Sequence, residues 1–285
     1  MLGECHAHMI MDGVNYKAAV ALHKNGVCEK AVRRHLKECQ EAGVRFVRDG
    51  GDAKEVSKLA KDLAPEYGIE YCTPVFAIRK RGHYGGIVGL PFDTWEEYLG
   101  LIKRAKEEGA DFIKIMVSGL LDFAHAGMLT EEGLSGEDIH SMIAIAHEEG
   151  MAVMAHCNGD ETCRQTLEAG VDSLEHGFFM EEETLCLLAE RKIPWFPTFA
   201  PVGNLLGCGR FPDEEVQKNL DMQIRRVEKA VSLHARIGLG SDAGAYLVPH
   251  GKGTRDEYRY LKRAGVPDDM LYQTEDQIRK VFRRL

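Results

Sequence analysis

Asp111-Phe112-Ile113-Lys114-Ile115-Met116-Val117 is an apolar run of strand length with a lysine at its centre. An unpaired ammonium in such a place forfeits several kcal/mol of solvation, so Lys114 needs a strong partner or a way to be neutral. An amphipathic stretch over 94–108 precedes the run, opened by Asp93-Thr94 and closed by Gly109. Another over 135–149 follows it, opened by Ser135-Gly136-Glu137-Asp138 and closed by Gly150. These are helix start and stop signals. Helix, strand, helix in this order reads as a βα unit on a parallel sheet.

The same alternation runs through the chain. Strands are predicted near 2–8, 44–49, 69–77, 111–117, 151–156, 171–176, 194–199 and 236–241. Helices are predicted near 29–42, 53–64, 94–108, 135–149, 160–168, 181–190, 213–234, 254–264 and 275–284. Eight strands with intervening helices predict an α/β fold, the (β/α)8 TIM barrel, whose active sites lie at the C-terminal strand ends. No repeat, linker or low-complexity run interrupts the pattern, so 1–285 is expected to be one domain.

Composition narrows the function. Across 285 residues, 45 acidic side chains outnumber 36 basic ones, for a formal charge of -9. Nucleic acid is therefore not an expected partner, since phosphate binding needs a concentrated basic face and Arg79-Lys80-Arg81 is too small for one. No apolar stretch is long enough to span a bilayer, and Met1 leads almost directly into His6 without a signal peptide. Eight cysteines without a CxxC pair read as reduced thiols. A cytoplasmic enzyme acting on a small molecule is expected, with a homo-oligomer left open.

The polar residues at the strand ends carry the chemistry. Alternation along a strand points His6 and His8 to one face, where two imidazoles can chelate one ion. His156 closes Met151–Ala155, and His176 closes Val171–Glu175. A single histidine in such a place also reads as a packed, hydrogen-bonded residue; four at barrel strand ends are hard to attribute to packing. Asp242 follows Gly238-Leu239-Gly240-Ser241 and reads either as a rim ligand or as a turn cap. Lys114 can escape its burial penalty by reacting, while neutral, with carbon dioxide to give an anionic carbamate. Together these residues read as a two-metal hydrolytic centre. Among the other histidines, His83, His125 and His250 fall in rim loops, while His23, His35, His140, His147 and His234 are expected at the surface or as caps.

With these motifs the chain resembles the amidohydrolase superfamily. His6-Ala7-His8, Lys114, His156, His176 and Asp242 match its ligand order over nearly the whole length. Phe112–Gly119, Leu174-Glu175-His176-Gly177 and Gly240–Gly244 resemble the branch related to imidazolonepropionases and bacterial Xaa-Pro dipeptidases, and the lysine points to the dipeptidase side. The resemblance implies that His6, His8 and Asp242 hold one divalent ion, zinc for preference, and that His156 and His176 hold a second. Carboxylated Lys114 would bridge the two, with a bridging hydroxide as nucleophile. It further implies Asp242 as proton shuttle and His83, in a Gly-rich loop with Tyr84, as an oxyanion contact.

Three features depart from the pattern. Almost nothing precedes His6, so the β-sandwich common in relatives is expected to be missing. Ser118-Gly119-Leu120 replaces the usual Ser-Gly-Gly, and Val202 stands where relatives often place a tyrosine. The expected reaction is cleavage of a small amide, a dipeptide or an N-acyl amino acid. Lactone or ester hydrolysis, or a catalytically silent metal-binding barrel, are the alternatives. Arg79 and Arg81, read as emerging at the rim beside His83 and Tyr84, are expected to hold a substrate carboxylate, with His250 as a further substrate contact.

Overall fold

Gly43, at φ 86°, ends the helix Glu29–Ala42 in the left-handed conformation that glycine adopts without a Cβ penalty, and the chain turns at once into a strand. The helix Trp95–Glu107 starts with a capping box: Thr94 Oγ1 accepts from Glu97 N, and Glu97 Oε2 accepts from Thr94 N. Ser135 caps Gly136–Glu148 in the same way through Asp138 N. Each cap contributes about 1 kcal/mol and fixes where its helix begins. The latter helix then buries Ile139, Met142, Ile143 and Ala146 against the sheet, and the larger of these gain about 1.5–3 kcal/mol each from burial.

The computed structural model describes residues 2–282. Its strands are β1 (Leu2–Ala7), β2 (Val44–Asp49), β3 (Glu70–Cys72), β4 (Ala77–Lys80), β5 (Gly89–Phe92), β6 (Ile113–Met116), β7 (Val153–Cys157), β8 (Ser173–His176) and β9 (Trp195–Phe196). They form two sheets, in the orders β1-β2-β3 and β5-β4-β6-β7-β8-β9, and every pairing is parallel. Backbone bonds bridge the gaps between the sheets. Asp111 N donates to Thr73 O on one side, while Gly238 N to Trp195 O and Cys5 N to Leu239 O link β9, residues 237–239 and β1 on the other. The order of parallel strands is that of the expected α/β barrel.

Several boundaries differ from the sequence expectation. The third strand is broken between β3 and β4, where Pro74 lacks an N–H and Val75 adopts φ 66°. β5 was not expected, because Gly89 and Pro91 read as turn residues; it lies at a sheet edge, where a proline is tolerated. The eighth strand forms bridges and single hydrogen bonds without a regular ladder. A Cβ on Gly238 would lie 2.2 Å from the Phe196 ring, so glycine there lets the two backbones approach. Short helices at Tyr16–Leu22 and Ala200–Gly203 are additional. The last helix runs Asp268–Val281, opened by Pro267-Asp268-Asp269, well before the expected start at 275; positions 283 and 284 of that expectation lie outside the described residues. No described helix is long and apolar enough to cross a membrane.

Candidate metal centre

β1 places His6 and His8 on one face, both buried, with His8 tied to the eighth strand by its N–H to Ala243 O at 2.7 Å. β6 carries Lys114, β7 carries His156, and β8 ends on His176. Asp242 leaves the eighth strand beside them. The side chains converge: ring centroids lie 5.4 Å apart for His6–His8, 4.9 Å for His6–His176 and 4.5 Å for His156–His176. Asp242 Oδ1 sits 3.7 Å from His6 Nε2 and 3.4 Å from His8 Nε2, and potential ligand atoms of these three residues lie within 4.8 Å of one another.

Electrostatics prepare the cluster for a cation. Burial, with Lys114 nearby, pushes the His8 and His156 imidazoles down to about 3 and those of His6 and His176 well below their ordinary value. Rings at neutral pH therefore present lone pairs, the form a metal requires. Burial lowers the Lys114 ammonium to about 8 and raises the Asp242 carboxyl to about 7. Three buried atoms of the cluster, His6 Nε2, His8 Nδ1 and Lys114 Nζ, have no hydrogen-bond partner. Orphaned buried polar atoms are costly, and an ion would satisfy the imidazoles, so the donor set fits a divalent metal.

Residues behind the ligands were missed by sequence reasoning. Glu175 Oε2 accepts from His6 Nδ1 at 2.8 Å, which turns Nε2 toward Asp242. Glu175 Oε1 is held by Arg48 at 2.8 Å and Ser173 Oγ at 2.7 Å, and Arg48 is fully buried between the Phe196 and Phe282 rings. Glu4 accepts from His6 N, Ser241 N, Ser241 Oγ and Thr254 Oγ1, locking β1 to the eighth strand. On the other ligands, His176 Nδ1 pairs with Thr198 Oγ1 at 2.8 Å and His156 Nε2 donates to Gly119 O at 3.1 Å. Each contact fixes which ring nitrogen remains available.

A cavity of about 450 Å³ stands over the cluster, with His6, His8, Lys114, His156, His176 and Asp242 all on its lining. Tyr84 lines it too, 5.0 Å from the His156 ring. The remaining expected substrate contacts are not brought there. β4 extends further than the sequence suggested, and its arginines find partners in the chain: Arg79 donates to His83 O and Arg81 pairs with Asp93 at 2.6 Å. Half-buried His83 lies 3.9 Å from Glu131 and off the cavity wall, and exposed His125 pairs with Asp122. His250 is buried, donates to Met11 O at 2.9 Å and stacks on His35 at 4.4 Å. His35 and His23 are thus interior residues, contrary to expectation, and backbone groups satisfy their Nδ1 atoms.

Residues 4–262 match the amidohydrolase family, and the chain belongs to it. An uncharacterised protein of Mycobacterium tuberculosis is 29% identical over 139 residues, covering 46% of this chain and 37% of the relative. Ochratoxinase of Aspergillus niger is 23% identical over 212 residues, 70% of this chain and 41% of that enzyme. The chain thus spans less than half the length of these curated relatives. Among solved structures, a Xaa-Pro dipeptidase with bound methionine superposes with a TM-score of 0.75 at 22% identity, covering 99% of this chain and 74% of that one.

Proposed function

We propose that the protein is a metal-dependent hydrolase that cleaves a small amide, a dipeptide or an N-acyl amino acid. One observation carries the reading: four neutral imidazoles, a carboxylate and a partnerless buried lysine share the floor of one cavity. Family membership and the likeness in fold to a Xaa-Pro dipeptidase support it.

His6, His8 and Asp242 would hold one divalent ion, and His156 and His176 a second, zinc being the ion best suited to several imidazoles with oxygen ligands. When bound, such ions lower the pKa of a water and polarise a carbonyl. The chain supplies the rest. Lys114, whose amine is partly neutral near pH 8, would react through Nζ with carbon dioxide and lose a proton, and the resulting carbamate would supply an anionic ligand. Asp242 accepts the proton of the attacking water at its carboxylate and returns it to the leaving nitrogen, so acid and base are one group. The buried rings of His6 and His176 hold their orientation through Glu175 and Thr198.

Chelator-stripped protein, reloaded with zinc, should be screened against dipeptides, N-acyl amino acids, lactones and carboxylic esters. Amide hydrolysis that disappears on stripping and returns with zinc is the expected result. Faster turnover of lactones, or activity indifferent to chelation, contradicts the proposal.

A further inference from the structure

Floor and rim of the cavity differ in chemistry. The ligand cluster occupies the floor, and the walls are apolar, with Met116, Leu121, Phe123, Val202, Leu205 and Phe211 among them. Apart from Lys114 on the floor, one arginine or lysine lines the cavity among the described residues, and that is Arg210. Its guanidinium lies 4.7 Å from the centroid of the Tyr246 ring and 5.4 Å from that of Phe211. Phe211 in turn packs 5.4 Å from Phe123.

Stacking on aromatic faces orients a guanidinium and leaves its in-plane N–H donors free. It does not neutralise the charge. No carboxylate among the described residues stands within ion-pair distance of Arg210, although the chain carries 45 acidic side chains. Elsewhere at this end of the molecule Lys80 pairs with Asp138 and Arg81 with Asp93, Arg79 donates to His83 O without a carboxylate partner, and Lys17 lies 6.0 Å from the centroid of the Tyr16 ring. Arg210 is held on the loop between the helices Ala200–Gly203 and Asp213–Ser232, where Gly207 and Gly209 adopt φ 76° and 72° and Asp213 Oδ1 accepts from Gly207 N. Arg210 is exposed at the mouth of the cavity, with two aromatic rings beside its guanidinium and no carboxylate neutralising it. Carboxylates match it with two parallel hydrogen bonds.

We propose that Arg210 binds a carboxylate of the substrate, and that the preferred substrate is an amide whose amino-acid part combines that carboxylate with a bulky apolar side chain. The walls receive the side chain, the floor receives the amide, and the rim arginine selects the charged end. The substrate class rests on the amide-hydrolase reading; the anion site does not. Residue Arg210 thereby takes the role that the sequence assigned to Arg79 and Arg81.

The test uses zinc-loaded protein with N-acetyl-L-phenylalanine and its neutral C-terminal amide, in the wild type, Arg210→Lys and Arg210→Met. Calorimetric binding of L-phenylalanine against L-phenylalaninamide gives a second readout that needs no turnover. Wild-type protein should favour the acid in kcat/KM by about tenfold, the scale of one charge-assisted contact at a partly solvated site. Arg210→Met should bring that ratio close to one, mainly through KM, and Arg210→Lys should keep part of it. A wild-type ratio near one, or a ratio that survives Arg210→Met, overturns the Arg210 assignment while leaving hydrolysis standing. Binding of phenylalanine that depends on Arg210 without any turnover supports the anion site and counts against the hydrolase reading. Neither turnover nor phenylalanine binding overturns both.

Discussion

Glu175 decides which nitrogen His6 offers to the centre of the site. Its carboxylate accepts a hydrogen bond from Nδ1–H, so Nε2 is left with a lone pair facing Asp242. That carboxylate stays in place because Arg48, also buried, holds its other oxygen. Replacing Glu175 with glutamine leaves an unpaired buried guanidinium and a weaker acceptor for His6. Glu175→Gln should lower zinc affinity by roughly 10- to 100-fold, as loss of an outer ligand contact generally does. Competition with a chromophoric chelator measures it; unchanged affinity in a folded variant rejects the role. Arg48 was legible by the logic that singled out Lys114, since both are cations inside short apolar strands. Glu175 was in view only as the neighbour of His176, because a strand's alternation says which face a side chain takes and not which residue it meets across a barrel.

At the scale of elements, the site depends on how strands end. His176, Thr198 and Asp242 leave three successive strands at φ 69°, 49° and 57°, a left-handed region that costs residues with a Cβ about 1–2 kcal/mol each. Three such turns side by side aim one ligand, its hydrogen-bond partner and a second ligand into the cavity. Of the three, Asp242 was readable as a turn residue and histidine and aspartate tolerate this region better than most, whereas nothing local marked Thr198. Gly50, just past β2, shows the converse constraint: a Cβ there would meet His8 Cε1 at 2.2 Å. The obstacle is the end of a side chain, so the fold can absorb it but the ligand must move. Gly50→Ala is expected to fold with its secondary structure intact and to bind zinc at least tenfold more weakly, by circular dichroism and chelator competition. Full affinity in this variant would mean that His8 is no ligand.

For the whole molecule, the periodic part of the pattern was readable and the irregular part was not. Six strand positions and most helices follow from apolar runs and from the helix-closing glycines Gly43, Gly109, Gly150 and Gly170, where local signals and tertiary packing agree. The break at Pro74–Val75, the edge strand Gly89–Phe92 and the glycine-rich eighth strand depend on contacts between distant segments. That difference explains why Arg79 and Arg81, expected at the rim, are not on the cavity lining. One extra turn of the pleat in β4 carries them to partners that only the folded chain supplies. The candidate ligands were legible because each lies within or just past a predicted strand, whereas Arg210 lies on an irregular loop with no period to read.

The central claim is that this barrel assembles a site for two divalent ions around Lys114. The direct test is the metal content of the purified protein by elemental analysis, wild type beside Lys114→Ala, each with bicarbonate and with a short carboxylic acid such as propionate. The account predicts about two ions per wild-type chain, a clear loss in Lys114→Ala, and partial recovery when the acid occupies the space the carbamate would fill. Full metal occupancy in a folded Lys114→Ala protein, without added acid, would contradict it.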